Sequence, residues 1–485
     1  MNKYKETNPG KRKFEGRKKE AATSSAEYLQ VGQRIVVTIK RIGINGEGVG
    51  YYRRKAVFID GALPDEVVKA KVTRIEPNLI YAELTEIEKR SPMRKKPDCP
   101  VFDRCGGCQL QHMKYEGQLQ AKEEIVREAF RRYAGAEDVR IKPILGMEQP
   151  WGYRNKAQVQ LGFEKERLIT GLYEPGTHKL VDISGCPIQH SKVNEAVDTI
   201  RDILTALRIP VYKERGNTGS VRNVVVRAGL QSGELQVTFV TATDKLPQRE
   251  ALVAAIRRAL PEVTTIAQNI NPKNTSLIFG ERTSILWGKE TIEESLGDLP
   301  FALSPRAFFQ LNPEQTVKLY ETVRVAAALT GRETVIDAYC GTGTIGLWLA
   351  PYAKEVRGIE AIPEAVDDAR RNAERSGRAN AAFYAGKAEE LLPRWVKQGV
   401  SPDVVVVDPP RTGCDARLLR TLVQTKPKRI VYVSCNPSTL AKDCKVLQDG
   451  GFRIEWVQPV DMFPHTVHVE VVCSLIYKGF DSLKC

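Results

Sequence analysis

The chain has 485 residues, 42% hydrophobic and 27% charged, with a net charge of +14, room for two or three globular domains. It lacks a run of ~20 apolar residues, which excludes a transmembrane helix, and its charged start has no apolar core after it, which excludes a secretory signal; a cytoplasmic protein is expected. The excess of Lys and Arg fits a polyanionic partner whose counterions it would release, and fits a merely basic surface equally well.

Residues 1–26, with Lys11-Arg12-Lys13 and Arg17-Lys18-Lys19, read as a disordered basic tail, at most a non-specific RNA tether. Residues 27–88 are patterned as strands: Arg34–Ile39, Ala56–Ile59, Glu66–Ile75 and Leu79–Ile87, with Gly43, Gly46, Gly48 and Gly50 marking a turn or bulge. Four or five short strands in so few residues predict a small closed barrel. The segment KRIGINGEGVGYYRRKAVFIDGALPDEVVKAKV resembles the TRAM module, an OB-like RNA-binding barrel attached to RNA-modifying enzymes. Tyr51, Tyr52, Arg53 and Arg54 put aromatics beside cations, as base-stacking platforms require.

A basic linker (89–97) opens a central region, residues 89–299, expected to be mixed α and β. A helix is predicted over Lys114–Tyr133 and strands over Ala157–Phe163 and Val221–Val226. Cys99, Cys105 and Cys108 form C-x5-C-x2-C, with Gly106 and Gly107 free to fold around a ligand, and Cys186 follows far along the chain. Four thiolates suit zinc or an iron–sulfur cluster. Tight zinc sites usually come as paired C-x2-C knuckles, whereas three close cysteines and a distant Cys-Pro suit [4Fe–4S]. Cys340, Cys414, Cys444, Cys473 and Cys485 read as packing or incidental.

From residue 300 to 485 strands and helices alternate, predicting a doubly wound sheet with ligands at the carboxyl ends of its strands. Thr334–Ala338 leads into Gly341, Gly343 and Gly346, a G-x-G-x-x-G turn, and Glu360 ends the next strand, placed to accept ribose hydroxyls. The glycines alone admit NAD or S-adenosylmethionine. Asp408-Pro409-Pro410-Arg411, after the strand Asp403–Val407, favours the second, because such a turn brings a planar base beside a methyl donor.

Uracil C5 is too weak a nucleophile to attack a sulfonium methyl directly. A thiolate adding to C6 makes C5 carbanion-like, and a base must then remove the C5 proton. Cys435, at the end of Arg429–Val433 and followed by Asn-Pro, stands at a strand-to-loop junction on the same edge as Asp408 and Glu360. Glu470 sits where the polar run His465-Thr466-Val467-His468-Val469 meets an apolar one; half-buried there its carboxylate would have a raised pKa, as a base wants, but on chemistry alone a solvated edge Glu is the favoured reading.

SPRAFFQLN, DAYCGTGTIG, DPPRTG, VSCNPSTLAKD and HTVHVE, in this order, resemble the bacterial RNA 5-methyluridine methyltransferases. The resemblance implies Cys435 as nucleophile, Glu470 as base, and Gln310, Tyr339, Glu360 and Asp408 as contacts for S-adenosylmethionine. It also implies Phe308 near a flipped base and Arg411 steadying charge on the uracil oxygen. The cysteine constellation matches the ribosomal-RNA branch, implying a structural [4Fe–4S] cluster and 23S rRNA as partner, with tRNA as runner-up. Gly386-Lys387-Ala388 departs from related methyltransferases, many of which carry an acid there against the adenine. RNA cytosine enzymes place a Cys directly after the Asp-x-Pro turn, where this chain has Arg411; Cys435 and Glu470 argue against a catalytically silent RNA-binding protein. The expected architecture is α/β: a Rossmann-like methyltransferase domain, an N-terminal OB-like barrel and a central α+β cluster domain, in a monomer.

Overall fold

The computed structural model describes residues 29–479, apart from 137, 215, 274 and 276; the basic tail and Cys485 lie outside the described residues. Strands β1 (Arg34–Ile42), β2 (Gly48–Tyr52), β3 (Lys55–Ile59), β4 (Val67–Ile75) and β5 (Leu79–Lys89) form a closed barrel. Strict alternation drives it: Ile35, Val37 and Ile39 of β1 point inward and are buried, while the residues between them face outward. The β2–β3 hairpin turns on Arg53 and Arg54, at φ 47° and 69°, so two cations sit at an exposed tip where a two-residue loop requires positive φ.

Helix α1 (Tyr115–Ala129) runs on through a π-turn (Phe130–Ala134) to Gly135. The central sheet follows: β6 (Lys156–Glu164), β7 (Arg167–Tyr173), β8 (Leu180–Asp182), β9 (Val221–Ala228), β10 (Leu235–Thr241), β11 (Val263–Ile270) and β12 (Arg282–Gly288), in the order β12-β11-β10-β9-β6-β7-β8. Its other neighbours are antiparallel; β10 and β11 are parallel and joined by helix α3 (Arg249–Ala259), as a parallel pair needs a crossover. Helices α2 (Ser191–Ala206) and α3 share a core with this sheet.

The hairpin β13 (Ile292–Leu296) and β14 (Leu299–Leu303) packs into the core of the C-terminal sheet. The expected boundary at 299/300 therefore falls inside a hairpin. Val126, Ala129 and Phe130 likewise pack with the C-terminal sheet's other face, although they precede the central sheet in sequence.

The C-terminal part carries α4 (Pro313–Ala327), β15 (Thr334–Ala338), α5 (Thr344–Leu349), β16 (Glu355–Glu360), α6 (Pro363–Arg375), β17 (Ala381–Ala385), α7 (Ala388–Lys397), β18 (Val404–Val407), α8 (Ala416–Thr425), β19 (Arg429–Ser434), α9 (Pro437–Asp449), β20 (Phe452–Val460) and β21 (Glu470–Tyr477). The sheet order is β17-β16-β15-β18-β19-β21-β20, with β21 antiparallel to both of its neighbours. Val404–Val407 are buried on both faces, as the middle of a doubly covered parallel sheet demands. Register aligns Ala338 with Ile359 and Val407, and Val407 with Tyr432, so the carboxyl ends of β15, β16, β18 and β19 form one edge.

Candidate active site

At that edge, β15 is followed by Tyr339, a non-glycine residue at φ 64°, a conformation sustained only where the surroundings over-determine it. The turn cannot be built otherwise: Gly343 has φ 81°, and a Cβ there would lie 2.7 Å from the Phe383 ring. Gly346 N–H donates to Asp337 Oδ2 at 2.8 Å, and Gly341 N–H to Glu360 Oε2 at 3.1 Å. Glu360 Oε1 also accepts from Ile362 N–H at 2.9 Å, so the carboxylate is fixed at the mouth of the glycine turn. Fully buried Asp337 has its pKa pushed up to about 8, by burial and then by Asp408 and Glu360; its Oδ1 has no hydrogen-bond partner. The 304–312 loop lies over this turn, Thr342 Oγ1 donating to the Phe308 carbonyl at 3.4 Å. Gln310 is half-buried and its carbonyl accepts from Asn155 Nδ2 at 3.2 Å. Phe308 is 62% exposed. The glycine turn, the fixed carboxylate and the neighbouring half-buried polar side chains suit a nucleoside with a flexible charged tail.

Cys435 follows β19 and precedes Asn436, which caps α9 by accepting from Ser438 N–H at 3.1 Å. The thiol thus sits at a helix start, where a thiolate is favoured. Burial, then Glu470 and Asp408, push the thiol up to about 11; the positive charge of Arg411 pulls the other way. Glu470 opens β21, 6% exposed, and burial and Asp408 raise its carboxyl to about 8. Burial raises Asp408 to about 7. The structure therefore brings Cys435, Glu470, Asp408 and Arg411 into one electrostatically linked group.

Cys99, Cys105, Cys108 and Cys186 line a single cavity with half-buried Arg154. Burial pushes the Cys108 thiol up to about 12. The Arg154 Nε is shut off from solvent without a hydrogen-bond partner. Among the described residues no group of three or more His, Cys, Asp or Glu is arranged to hold a metal ion; four soft donors around one cavity, with a cation beside them, nevertheless suit the chemistry of an anionic thiolate-ligated centre.

Sequence reasoning missed how the segment before Glu470 is fastened. Lys122 and Asp461, both 0% exposed, pair at 2.5 Å; Tyr115 O–H donates to Asp461 at 2.7 Å, and Lys122 to the Phe463 carbonyl at 3.0 Å. Trp151 stacks on His465 at 3.6 Å. Gln109 and Leu110, just after Cys108, donate backbone N–H groups to the His465 carbonyl at 3.2 and 2.9 Å. The one signal in the chain was the charged Lys122 on an otherwise buried helical face.

The chain is 56% identical over 453 residues to an uncharacterized RNA methyltransferase of Halalkalibacterium halodurans, covering 93% of this chain and 98% of the relative. This chain belongs to the RNA methyltransferases. An uncharacterized RNA methyltransferase of Bacillus cereus is 55% identical over similar shares of 93% and 98%. The tRNA (Uracil-5-)-methyltransferase family description matches residues 280–478 and the TRAM domain residues 29–85. The crystal structure of Pyrococcus abyssi tRNA (uracil-54, C5)-methyltransferase with S-adenosyl-L-homocysteine superposes with a TM-score of 0.72 and 30% identity, over 91% of this chain and 100% of that one. The methyltransferase is therefore S-adenosylmethionine-dependent and acts on uracil C5 in RNA, with a TRAM barrel at residues 29–85. Among its described residues no helix is long and apolar enough to cross a membrane.

Proposed function

We propose that the methyltransferase modifies a uridine of 23S rRNA through a covalent bond between Cys435 Sγ and C6. The convergence of Cys435, Glu470, Asp408 and Arg411 at one sheet edge carries the reading. Partly exposed Cys435 gives its proton to solvent and its sulfur adds to C6; the C5–C6 π electrons move toward C5 and O4, where Arg411 steadies the charge. C5 then takes the methyl from the sulfonium, an electrophile S-adenosylmethionine supplies when bound. Glu470 accepts the C5 proton, the C5–C6 double bond reforms, and the Cys435 thiolate leaves. Gln310, Tyr339, Glu360 and Asp408 hold the methyl donor, and exposed Phe308 stacks on a uracil flipped from its helix.

The four cysteines in one cavity support a [4Fe–4S] cluster ligated by Cys99, Cys105, Cys108 and Cys186, which would tie the 99–108 loop to the 186 turn. Of the functional units expected from sequence, residues 1–26 act as a tether, 27–88 bind RNA, 89–299 carry the cluster and 300–485 hold the chemistry. The reaction runs in the cytoplasm, on a monomer. The tRNA reading is favoured by the likeness to the Pyrococcus abyssi tRNA (uracil-54, C5)-methyltransferase. Mapping 5-methyluridine in rRNA and tRNA with and without the protein separates the two: loss from 23S rRNA supports the first, loss confined to tRNA the second.

Glu470→Gln tests the mechanism. It permits addition and methyl transfer but leaves the C5 proton in place, so a protein–RNA band resistant to denaturation is expected, dependent on S-adenosylmethionine and Cys435. Normal turnover would remove Glu470 from the mechanism. Because Glu470 must be ionised to accept a proton, and burial holds it near 8, kcat/KM should climb as pH rises from 6 to 8.

A further inference from the structure

The methyltransferase reaction needs a Cys435 thiolate, yet burial and two carboxylates oppose one, and Arg411 is the group that favours it. Arg411 is held by its backbone: its carbonyl accepts from Asn436 Nδ2 at 3.0 Å and Thr439 Oγ1 at 3.2 Å. Its side chain is exposed, and a long exposed side chain spreads over many rotamers unless something holds it. The group against it is His468. An Arg411 terminal nitrogen lies 3.5 Å from both His468 Nδ1 and Nε2. Equal approach to both nitrogens places the guanidinium over the ring or at the edge between them, a contact that only an uncharged imidazole tolerates.

His468 is itself held in place. Its N–H donates to Thr466 Oγ1 at 3.2 Å, and the preceding Val467 N–H donates to Gln109 Oε1 at 3.3 Å. Two residues on, Glu470 opens β21. We infer that His468 is a positioning residue: its neutral ring holds the Arg411 guanidinium against the Cys435 sulfur and so keeps the thiol reactive. Burial, and then the cations Arg411, Lys122 and Arg154, lower its pKa to about 4, so it stays neutral through the working range. The inference rests on Cys435 being the nucleophile.

The test is the pH dependence of Cys435 alkylation by iodoacetamide, resolved by mass spectrometry, on full-length protein whose S-adenosylmethionine binding is intact. His468→Ala should move the reactivity midpoint to higher pH and slow alkylation at pH 8 roughly three- to tenfold, up to one pKa unit. His468→Gln, whose carbonyl oxygen can accept from Arg411, should recover most of the rate. Arg411→Ala should reproduce the slowing, and the double variant should be no slower than Arg411→Ala alone. Turnover by His468→Ala should fall in kcat, with KM for S-adenosylmethionine unchanged. An unshifted profile in His468→Ala, no recovery with Gln, or added slowing in the double variant would overturn the assignment. Alkylation reports the thiol whether or not it attacks RNA. Failure of the nucleophile reading is seen separately, as an absent Glu470→Gln adduct.

Discussion

Two cysteine sites in this methyltransferase are built by opposite means. Cys435 is placed by a local device: strand β19, a one-residue junction, an Asn cap and helix α9, all within residues 429–449. The four-cysteine cavity is assembled from a loop at 99–108 and a turn near 186, nearly eighty residues of chain apart. A local device survives perturbation elsewhere in the fold, whereas an assembled one depends on everything between its parts. The first site can then fail in chemistry without failing in structure, and the second should do the reverse.

Exchanging the two lesions gives the largest expected effect. Cys435→Ala should abolish methylation while leaving thermal stability and S-adenosylmethionine binding intact, checked by turnover and calorimetry. Cys186→Ser should lose bound iron, measured on anaerobically purified protein, and reduce solubility, while protein that remains folded still alkylates at Cys435. Stoichiometric zinc and no iron in the unaltered protein would replace the cluster but keep the contrast. A Cys186→Ser protein with full solubility and normal metal content would erase it.

The same contrast explains what could be read in advance. Alternation in Arg34–Ile39 and the valine run before Asp408 exposed the barrel and the parallel sheet, because period and burial are local properties. The edge holding Glu360, Asp408 and Cys435 followed from strand ends. Glu470 needed a family resemblance, since a Glu at the start of a strand is usually solvated, and its burial depends on β20, where it pairs with Val460, and on helix α4 packed against β21. The central sheet was illegible beyond two strands: β8 spans Leu180–Asp182 alone, too short for a period. The α1 helix was visible, but not its packing across the catalytic sheet, nor the pairing of Lys122 with Asp461 across 339 positions. Nothing in a single sequence registers such distant partners.

That ion pair fastens the two kinds of site together, since α1 follows the cysteine loop and Asp461 starts the segment leading to Glu470. Lys122→Met removes the cation and strands a carboxylate that is 0% exposed. Breaking a buried pair from one side costs about 3–5 kcal/mol, and urea unfolding should show a loss of that order. Lys122→Met with Asp461→Leu should regain much of it, because two apolar residues leave no buried charge. If the single variant is as stable as the parent, the segment is held by its backbone contacts instead.

Gln109 gives the smallest effect and the sharpest view of the join. It follows Cys108 directly, and its side-chain oxygen accepts from Val467 N–H, while its own N–H and that of Leu110 reach the His465 carbonyl. Gln109→Ala deletes the side-chain bond to Val467 and the one its Nε2 donates to the Gly106 carbonyl at 2.9 Å, and spares the two backbone bonds. A hydrogen bond of this kind is worth about 1 kcal/mol net, so the melting temperature should fall only slightly. No cysteine is altered, so metal content should not change. Val467 is three residues from Glu470, however, and a base that swings by a fraction of an ångström loses rate steeply. The expected signature is kcat reduced severalfold with iron content and KM for S-adenosylmethionine unchanged. Unchanged kcat would mean that the cysteine loop and the catalytic strand merely touch; a fall in iron content would mean that Gln109 serves the cavity rather than the base.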